Sequence, residues 1–384
     1  MADKYAIDHH KIMFHPERLS DWLKAKDSWE KAKKVYPIYV EISSSGLCNH
    51  RCKFCALDYL GYNTGFADFN NLKRAIKDMA RGGVKSIQFG GEGEPLLHPK
   101  IKEICRYTKS LGVDISFTTN GTLLKEELAK EILPLTTWIK VSIDAGEPAT
   151  HMKIHRPKVQ DFGIIIGNLK KAAEIRKKTG AKCSLGGQML LLPDNHNEAL
   201  TLAKKLKEIG LDYLVIKPYS QHKKSITREY ENLSYDKYLY PVRKPHPVGQ
   251  SAKSRVLSNG VYLKDELKKL NDDKFQVIFR ENTMEKLEGE RAYKICRAVP
   301  FFWAYLMANG DVYSCSSFLG DKEFKLGNYN KNSFKEIWEG EKRKKHWKFI
   351  PKFDIGQCRE NCRMDEVNRY LEKLSNPPGH INFI

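Results

Sequence analysis

The sequence predicts an α/β protein, a partial (β/α)6 TIM-like barrel followed by a small α+β domain that carries clustered cysteines. Three observations support this class. From residue 36 a short β-rich run, a polar turn and an amphipathic segment recur six times. Gly112, Gly180 and Gly210 stand where amphipathic segments end, the position at which a helix closes on a left-handed residue. Beyond residue 273 the alternation stops, and strand-like runs, a tight turn and four cysteines take its place. Strand–helix alternation builds a parallel sheet, because each crossover returns across the sheet before the next strand starts in the same direction.

Residues 1–35 read as a helical extension. The six strands read as "YPIYVEISS" (36–44), "KSIQFGG" (85–91), "VDISFTTNG" (113–121), "TWIKVSIDA" (137–145), "KCSLGGQMLLL" (182–192) and "DYLVIKPYS" (212–220). Between them, Leu72, Ala75, Ile76, Met79 and Ala80 share one helical face, as do Ile101, Ile104, Cys105, Thr108 and Leu111. The barrel thus spans 36–222, with its chemistry expected at the C-terminal ends of the strands, where loops converge. Residues 223–272, including "YPVRKPHPVGQSAKSR", lose the periodicity and gain proline, serine and charge, as a linker or exposed insertion does. The second domain spans 273–365. It has strands in "KFQVIFR" (274–280) and "FFWAYLMANGDVYSC" (301–315), a hairpin signal at Asn309-Gly310 and a helix in "FKEIW" (334–338). A closing helix begun by "DEVNRYLEKL" and a tail occupy 366–384.

Composition narrows the function classes. The longest apolar runs, such as "MLLL" at 189–192, are far short of a membrane span. The first residues, "MADKYAIDHH", lack the apolar segment of a secretory signal, so the cytoplasm is the expected compartment. In a reducing compartment nine cysteines point to metal ligation rather than a disulfide framework. Lys and Arg outnumber Asp and Glu by 66 to 47, and the resulting charge of +19 favours anionic partners. The excess is spread along helical faces such as "KKAAEIRKK", and no nucleic-acid module accompanies it, so the charge reads as solvated surface and a nucleic-acid partner is disfavoured though left open.

Cys48, Cys52 and Cys55 lie in "SSSGLCNHRCKFCALDY", directly after the first strand, with spacing C-x3-C-x2-C. Thiolates suit iron–sulfur clusters and zinc. Structural zinc sites close with four ligands, so a zinc reading needs His50 or a distant residue to complete the set. Three cysteines leave one iron of a [4Fe–4S] cube open to a bound molecule.

This motif, with an aromatic at Phe54 before the last cysteine, resembles the radical S-adenosylmethionine superfamily. The resemblance implies that the open iron is chelated by the amino and carboxylate groups of S-adenosylmethionine. An electron from the cluster then cleaves the sulfonium, and the resulting 5′-deoxyadenosyl radical takes a hydrogen atom from the substrate. "QFGGEGEPLLHP" (88–99) is similar to the family's Gly-Gly-Glu-Pro loop, which binds the cofactor's amino group. Gly93 and Glu94 match that pattern, while Glu92 replaces the first glycine, so Glu94 is the expected contact. By the same similarity Asn120, Ser142 and Asp144 are expected near the cofactor's ribose and Arg156 at its carboxylate. His151 and His155 are read as surface residues.

Cys296, Cys315, Cys358 and Cys362 form a closed set of four, spaced C-x18-C across the hairpin and then C-x3-C. A structural zinc is one reading of such a set. The pattern also resembles the Twitch domain, the shorter relative of the SPASM domain, which implies an auxiliary [4Fe–4S] cluster. Two [4Fe–4S] clusters and S-adenosylmethionine are then the expected cofactors. Cys105 and Cys183 are read as buried apolar residues without chemistry.

A closed auxiliary cluster has no vacant iron for substrate, so its expected role is to accept an electron from a substrate radical, giving net oxidation. The resemblance extends to radical dehydrogenases of aminocyclitol biosynthesis, with peptide or protein modification as the alternative, and sugar epimerisation or decarboxylation further possibilities. About 35 residues precede the first strand, too few for a leader-recognising domain, which favours a small polar or anionic, sugar-like substrate. Lys217, Tyr219, Gln221 and His222, at the exit of the sixth strand, are nominated as substrate-facing, against the simpler reading of a polar turn. A flavodoxin- or ferredoxin-type reductant is implied by the chemistry. A different class stays open: a non-catalytic iron–sulfur or zinc protein binding nucleic acid by its charge.

Overall fold

Seven parallel strands follow one another around the barrel, β1 (Tyr39–Ile42), β2 (Ser86–Phe89), β3 (Asp114–Thr119), β4 (Trp138–Ser142), β5 (Ser184–Leu191), β6 (Tyr213–Pro218) and β7 (Gln276–Phe279). The computed structural model describes residues 5–25, 27–235, 263–287 and 289–383, and most of the insertion read over 223–272, residues 236–262, lies outside them. No helix among the described residues is long and apolar enough to cross a membrane.

The sixth strand is not the last of the parallel series. The segment 274–280, assigned from sequence to the second domain, extends the barrel as β7, paired in parallel with β6 from Tyr213↔Gln276 to Ile216↔Phe279. At the other edge β8 (Trp303–Leu306) pairs in parallel with β1, and β9 (Asp311–Tyr313) and β10 (Lys325–Asn328) fold back antiparallel upon it. The boundary drawn at 272/273 therefore does not separate two sheets. One ten-stranded sheet runs β10-β9-β8-β1-β2-β3-β4-β5-β6-β7. The Asn309-Gly310 turn joins β8 to β9, and Gly310 takes a φ of 93°, which its neighbours could adopt only with strain.

Side chains alternate across each strand, and this alternation makes the site. Val40, Ile42, Ile87, Phe89, Ile115, Phe117, Ile139 and Val141 face the helices and are buried in the main core. The helix Phe69–Arg81 contributes Leu72, Ala75, Ile76 and Met79 to that layer, and the helix Ile101–Ser110 contributes Ile104 and Cys105. The intervening residues are mostly polar and face the other way: Glu41 stands opposite Gln88, Gln88 opposite Ser116, and Ser142 opposite Gln188, while Lys217 stands opposite the apolar Leu190. The barrel consequently has an apolar coat and a polar lumen.

The amino-terminal extension packs with the last third of the chain. Leu19, Trp22, Ala25 and Ala32 share a second core with Phe302, Trp303, Phe318 and Phe324. Asp8 accepts hydrogen bonds from Arg280 Nε (3.1 Å), Asn282 N (2.9 Å) and Thr283 Oγ1 (2.6 Å), tying the extension to the end of β7. Arg343, 1% exposed, donates to the carbonyls of Pro300 and Trp338 (2.8 Å each) and of Ala32 and Val35 (3.3 Å each), and lies 3.9 Å over the Trp338 ring. It forms no ion pair among the described residues; carbonyl dipoles, the Trp338 ring and the nearby Glu339 carboxylate offset its buried charge. Replacing it with methionine leaves those carbonyls unpaired at the seam. The urea midpoint is expected to fall at unchanged slope, by about 3 kcal/mol of stability. An unchanged midpoint contradicts this role.

Candidate functional site

The cysteine loop leaves β1 and is fastened by backbone from three directions. Glu94 N donates to Leu47 O (2.8 Å), Arg51 N to His155 O (3.0 Å) and Lys53 N to Ile154 O (2.9 Å). Gly93 makes the first approach possible, since a Cβ there would stand 2.4 Å from the carbonyl oxygens of both Ser45 and Leu47. At the far end Asp58 accepts from Ser225 Oγ and the backbone N–H groups of Ile226 and Thr227. Asn120, at the exit of β3, donates to Asn49 beside Cys48 (2.7 Å).

Two glutamates follow β2 and serve different neighbours. Glu94 is buried and accepts from Thr119 Oγ1 (2.6 Å), Asn120 N (2.8 Å) and Leu96 N (3.1 Å); burial outweighs these bonds and raises its carboxyl to about 7. Glu92 turns away, to Ala308 N in the β8–β9 turn (2.8 Å), and braces the barrel against the hairpin.

The other nominated residues divide. Ser142 stands at the end of β4, where its hydroxyl accepts from Gln188 Nε2 (3.1 Å). Asp144 is fully buried; one carboxylate oxygen accepts from Leu190 N (2.5 Å) and the other, without a hydrogen-bond partner among the described residues, lies 3.2 Å from His155 Nε2. Arg156 is exposed, and its fork meets Glu229 (2.5 Å), which also holds Lys53. Of the four residues nominated after β6, only Lys217 lines the lumen. Tyr219 donates to Gln221 (2.6 Å), Gln221 donates to Thr227 O (2.9 Å), and His222 stacks on Tyr59 at 5.3 Å, burial lowering it to about 4. These three shape the loop that caps Cys55, as a polar turn would.

The surface assignment of His151 and His155 is incorrect. They are 0% and 1% exposed on the helix Pro148–His155, with rings stacked at 4.4 Å. His155 Nδ1 lies 3.2 Å from Cys52 Sγ, and His50 Nε2 meets Asp161 at 2.7 Å. The i, i+4 spacing of the two histidines around Ile154 is the signal that places them on a buried face.

Sequence reasoning also missed the lumen. A cavity of about 640 Å³ is lined by Gln88, Lys140, Lys217, Arg280, Cys362 and Arg363, among others. Arg363 enters it from the C-x3-C loop and pairs with Glu41 at 2.8 Å. Arg359, on the same loop, donates to Ser220 O (2.5 Å) at the exit of β6, and its guanidinium is acted on by the charges of both Cys362 and Cys55. Of the seven candidate ligand cysteines, Cys362 lines this cavity.

Comparison with known proteins agrees with this geometry. Residues 42–206 match the family described as the Radical SAM superfamily, and residues 296–363 match an iron–sulfur cluster-binding domain, SPASM. The chain belongs to the radical SAM superfamily and carries a SPASM-like auxiliary cluster domain. It is 29% identical over 182 residues to the tungsten-containing aldehyde ferredoxin oxidoreductase cofactor-modifying protein of Pyrococcus furiosus (47% of this chain, 50% of that one). It is 29% identical over 141 residues to an S-adenosylmethionine-dependent nucleotide dehydratase of a Thermoplasmatales archaeon (36% and 48%). The chain thus spans about half the length of these relatives. In fold it resembles Streptococcus suis SuiB, with a TM-score of 0.59 and 17% identity over 88% of this chain and 74% of that one.

The residues fit the implied groups, two [4Fe–4S] clusters and S-adenosylmethionine. Burial pushes all seven thiols up, Cys48 and Cys362 to about 12 and Cys52 well above its ordinary value. Buried thiols that resist ionising alone ionise on a cation. A single zinc would draw its thiolate sulfurs to within about 4 Å of one another. Among the described residues the one trio of ligand atoms within 4.8 Å mixes His50, Cys52 and His155, and no three thiols of either set come that close. Wider spacing suits the larger body of a cubane.

Proposed function

We propose that this radical SAM enzyme is an oxidoreductase, dehydrogenase-like, acting on a small polar substrate held in the barrel lumen. When bound, S-adenosylmethionine and the first cluster would supply a hydrogen-abstracting 5′-deoxyadenosyl radical, and the second cluster would supply an electron acceptor. Cys48, Cys52 and Cys55 hold the first cluster; Cys296, Cys315, Cys358 and Cys362 hold the second. Glu94 is positioned to receive the cofactor's amino group, and Asn120 keeps the loop that bears Cys48 against the end of β3. Lys217 binds and orients the substrate from β6, and the Tyr219–His222 turn covers Cys55 and excludes water from it. A flavodoxin- or ferredoxin-type protein is the fitting reductant.

The observation that carries this reading is the entry of the C-x3-C loop into the lumen, with Cys362 at its wall and Arg359 fastened to Ser220 at the exit of β6. The relative named as a nucleotide dehydratase adds support for a small polar substrate. The test incubates the reconstituted enzyme, dithionite and S-adenosylmethionine with a panel of sugars, cyclitols and nucleotides, and with short peptides. A product two mass units lighter, formed with one 5′-deoxyadenosine per turnover from a small molecule, is the expected result. Turnover of peptides alone would reject the small-substrate reading.

A further inference from the structure

We propose that the lumen is built for a substrate bearing a phosphate or carboxylate group, held by Lys140 and Lys217 with Arg280 and Arg363 beside them. The inference rests on reading the lumen as the substrate site. Seven Lys and Arg residues line the cavity against three carboxylates, Glu360, Asp365 and Glu366, and four of the cations come from separate elements: Lys140 from β4, Lys217 from β6, Arg280 from the residue after β7, and Arg363 from the auxiliary-domain loop. Such convergence differs from the lysine-rich helical faces that carry most of the chain's charge.

The two arginines have carboxylates of their own. Arg363 pairs with Glu41 at 2.8 Å and Arg280 with Asp8 at 3.1 Å. Neither lysine forms an ion pair or a side-chain hydrogen bond among the described residues; Glu41, already held by Arg363, is the carboxylate that acts on Lys140 and Asp144 the one that acts on Lys217, and Lys140 lies 5.5 Å from the Trp138 ring. Both lysines are half-buried in the cavity wall, where an ammonium group gains from a counter-charge. Burial, then neighbouring cations, lower Lys140 to about 7 and Lys217 well below its ordinary value. A bound anion supplies such a counter-charge and favours both ammonium forms, through charge-assisted hydrogen bonds.

Lys140 and Lys217 lie on opposite sides of β5, whose Gly186 pairs with Lys140 and whose Leu190 pairs with Lys217. Gly186 makes room for the Tyr213 ring, which a Cβ there would meet at 2.1 Å, so an aromatic face forms the wall between the two lysines. An anion between the two amines would fix one end of the substrate against β4–β6 and leave the rest free to extend toward the cysteine loop.

The test is calorimetric titration of the reconstituted holoenzyme with inorganic phosphate, pyrophosphate and succinate at fixed ionic strength, without turnover. At least one anion is expected to bind saturably. Each of Lys140→Gln and Lys217→Gln is expected to weaken it about tenfold or more, the loss of one charge-assisted bond, while Lys345→Gln, the same charge change on an exposed helix, leaves it unaltered. Pyrophosphate alone would assign a phosphorylated substrate and succinate alone a carboxylate; both support the proposal. Absence of saturable binding, or equal affinity in all three variants of unchanged iron content, overturns it. A wild-type enzyme that forms 5′-deoxyadenosine yet binds none of these anions refutes the lumen site and spares the radical chemistry. One that binds an anion through the two lysines but forms no 5′-deoxyadenosine does the reverse.

Discussion

Replacing Cys52 with alanine lowers the iron content of the reconstituted chain from about eight atoms to about four, since each cubane holds four, and reduces 5′-deoxyadenosine formation to the level of the blank. The loss follows from ligation and not from unfolding, because the loop around Cys52 is fastened by backbone groups. Its neighbours Arg51 and Lys53 donate to His155 O and Ile154 O, and Leu47 accepts from Glu94 N. None of these bonds uses the thiol. His50 and His155 lie near enough to offer substitute ligands, but His50 is held by Asp161 and His155 faces Asp144. Iron analysis with product chromatography checks the result, and retention of both iron and activity would mean that Cys52 is not a ligand.

Replacing Cys315 and Cys362 together gives the complementary pattern. Iron again falls to about four atoms per chain, one cubane being lost, but 5′-deoxyadenosine still forms while the oxidised product disappears. Cys315 follows β9 and Cys362 stands at the lumen wall, so the change removes ligands from both halves of the second set and leaves the β1 loop untouched. Both thiols lie in the second core, so the variant's urea midpoint is measured alongside. Undiminished product with the second cluster absent would show that the substrate's electron goes elsewhere.

Much of this architecture is written locally in the chain. Each of the six barrel strands is a short β-rich run, and Gly112, Gly180 and Gly210 close their helices with φ of 74°, 68° and 83°. Both cysteine sets are legible from spacing, and Asn309-Gly310 gives the hairpin. What stayed hidden depends on closure. In "YVEI" and "WIKVS" the polar residue at the centre reads as a solvent-facing position of a half-buried strand. Only when the sheet curls does Lys140 become the wall of a cavity, with Arg363, the partner of Glu41, arriving from more than 200 residues away. The pairing of β1 with β8 is equally remote in sequence, which is why the last third of the chain was read as a separate domain. Arg156 shows the same limit for motifs, since matching a pattern does not reveal that its fork meets Glu229.

The central claim is that three cysteines hold a reducible cluster with one iron left for the cofactor. Electron paramagnetic resonance of the Cys315→Ala/Cys362→Ala enzyme, reduced with dithionite and measured with and without S-adenosylmethionine, tests it most directly. A cluster signal that changes in g-values when the cofactor is added is the expected result. No reducible cluster in this variant, or a signal indifferent to saturating cofactor, would contradict the claim.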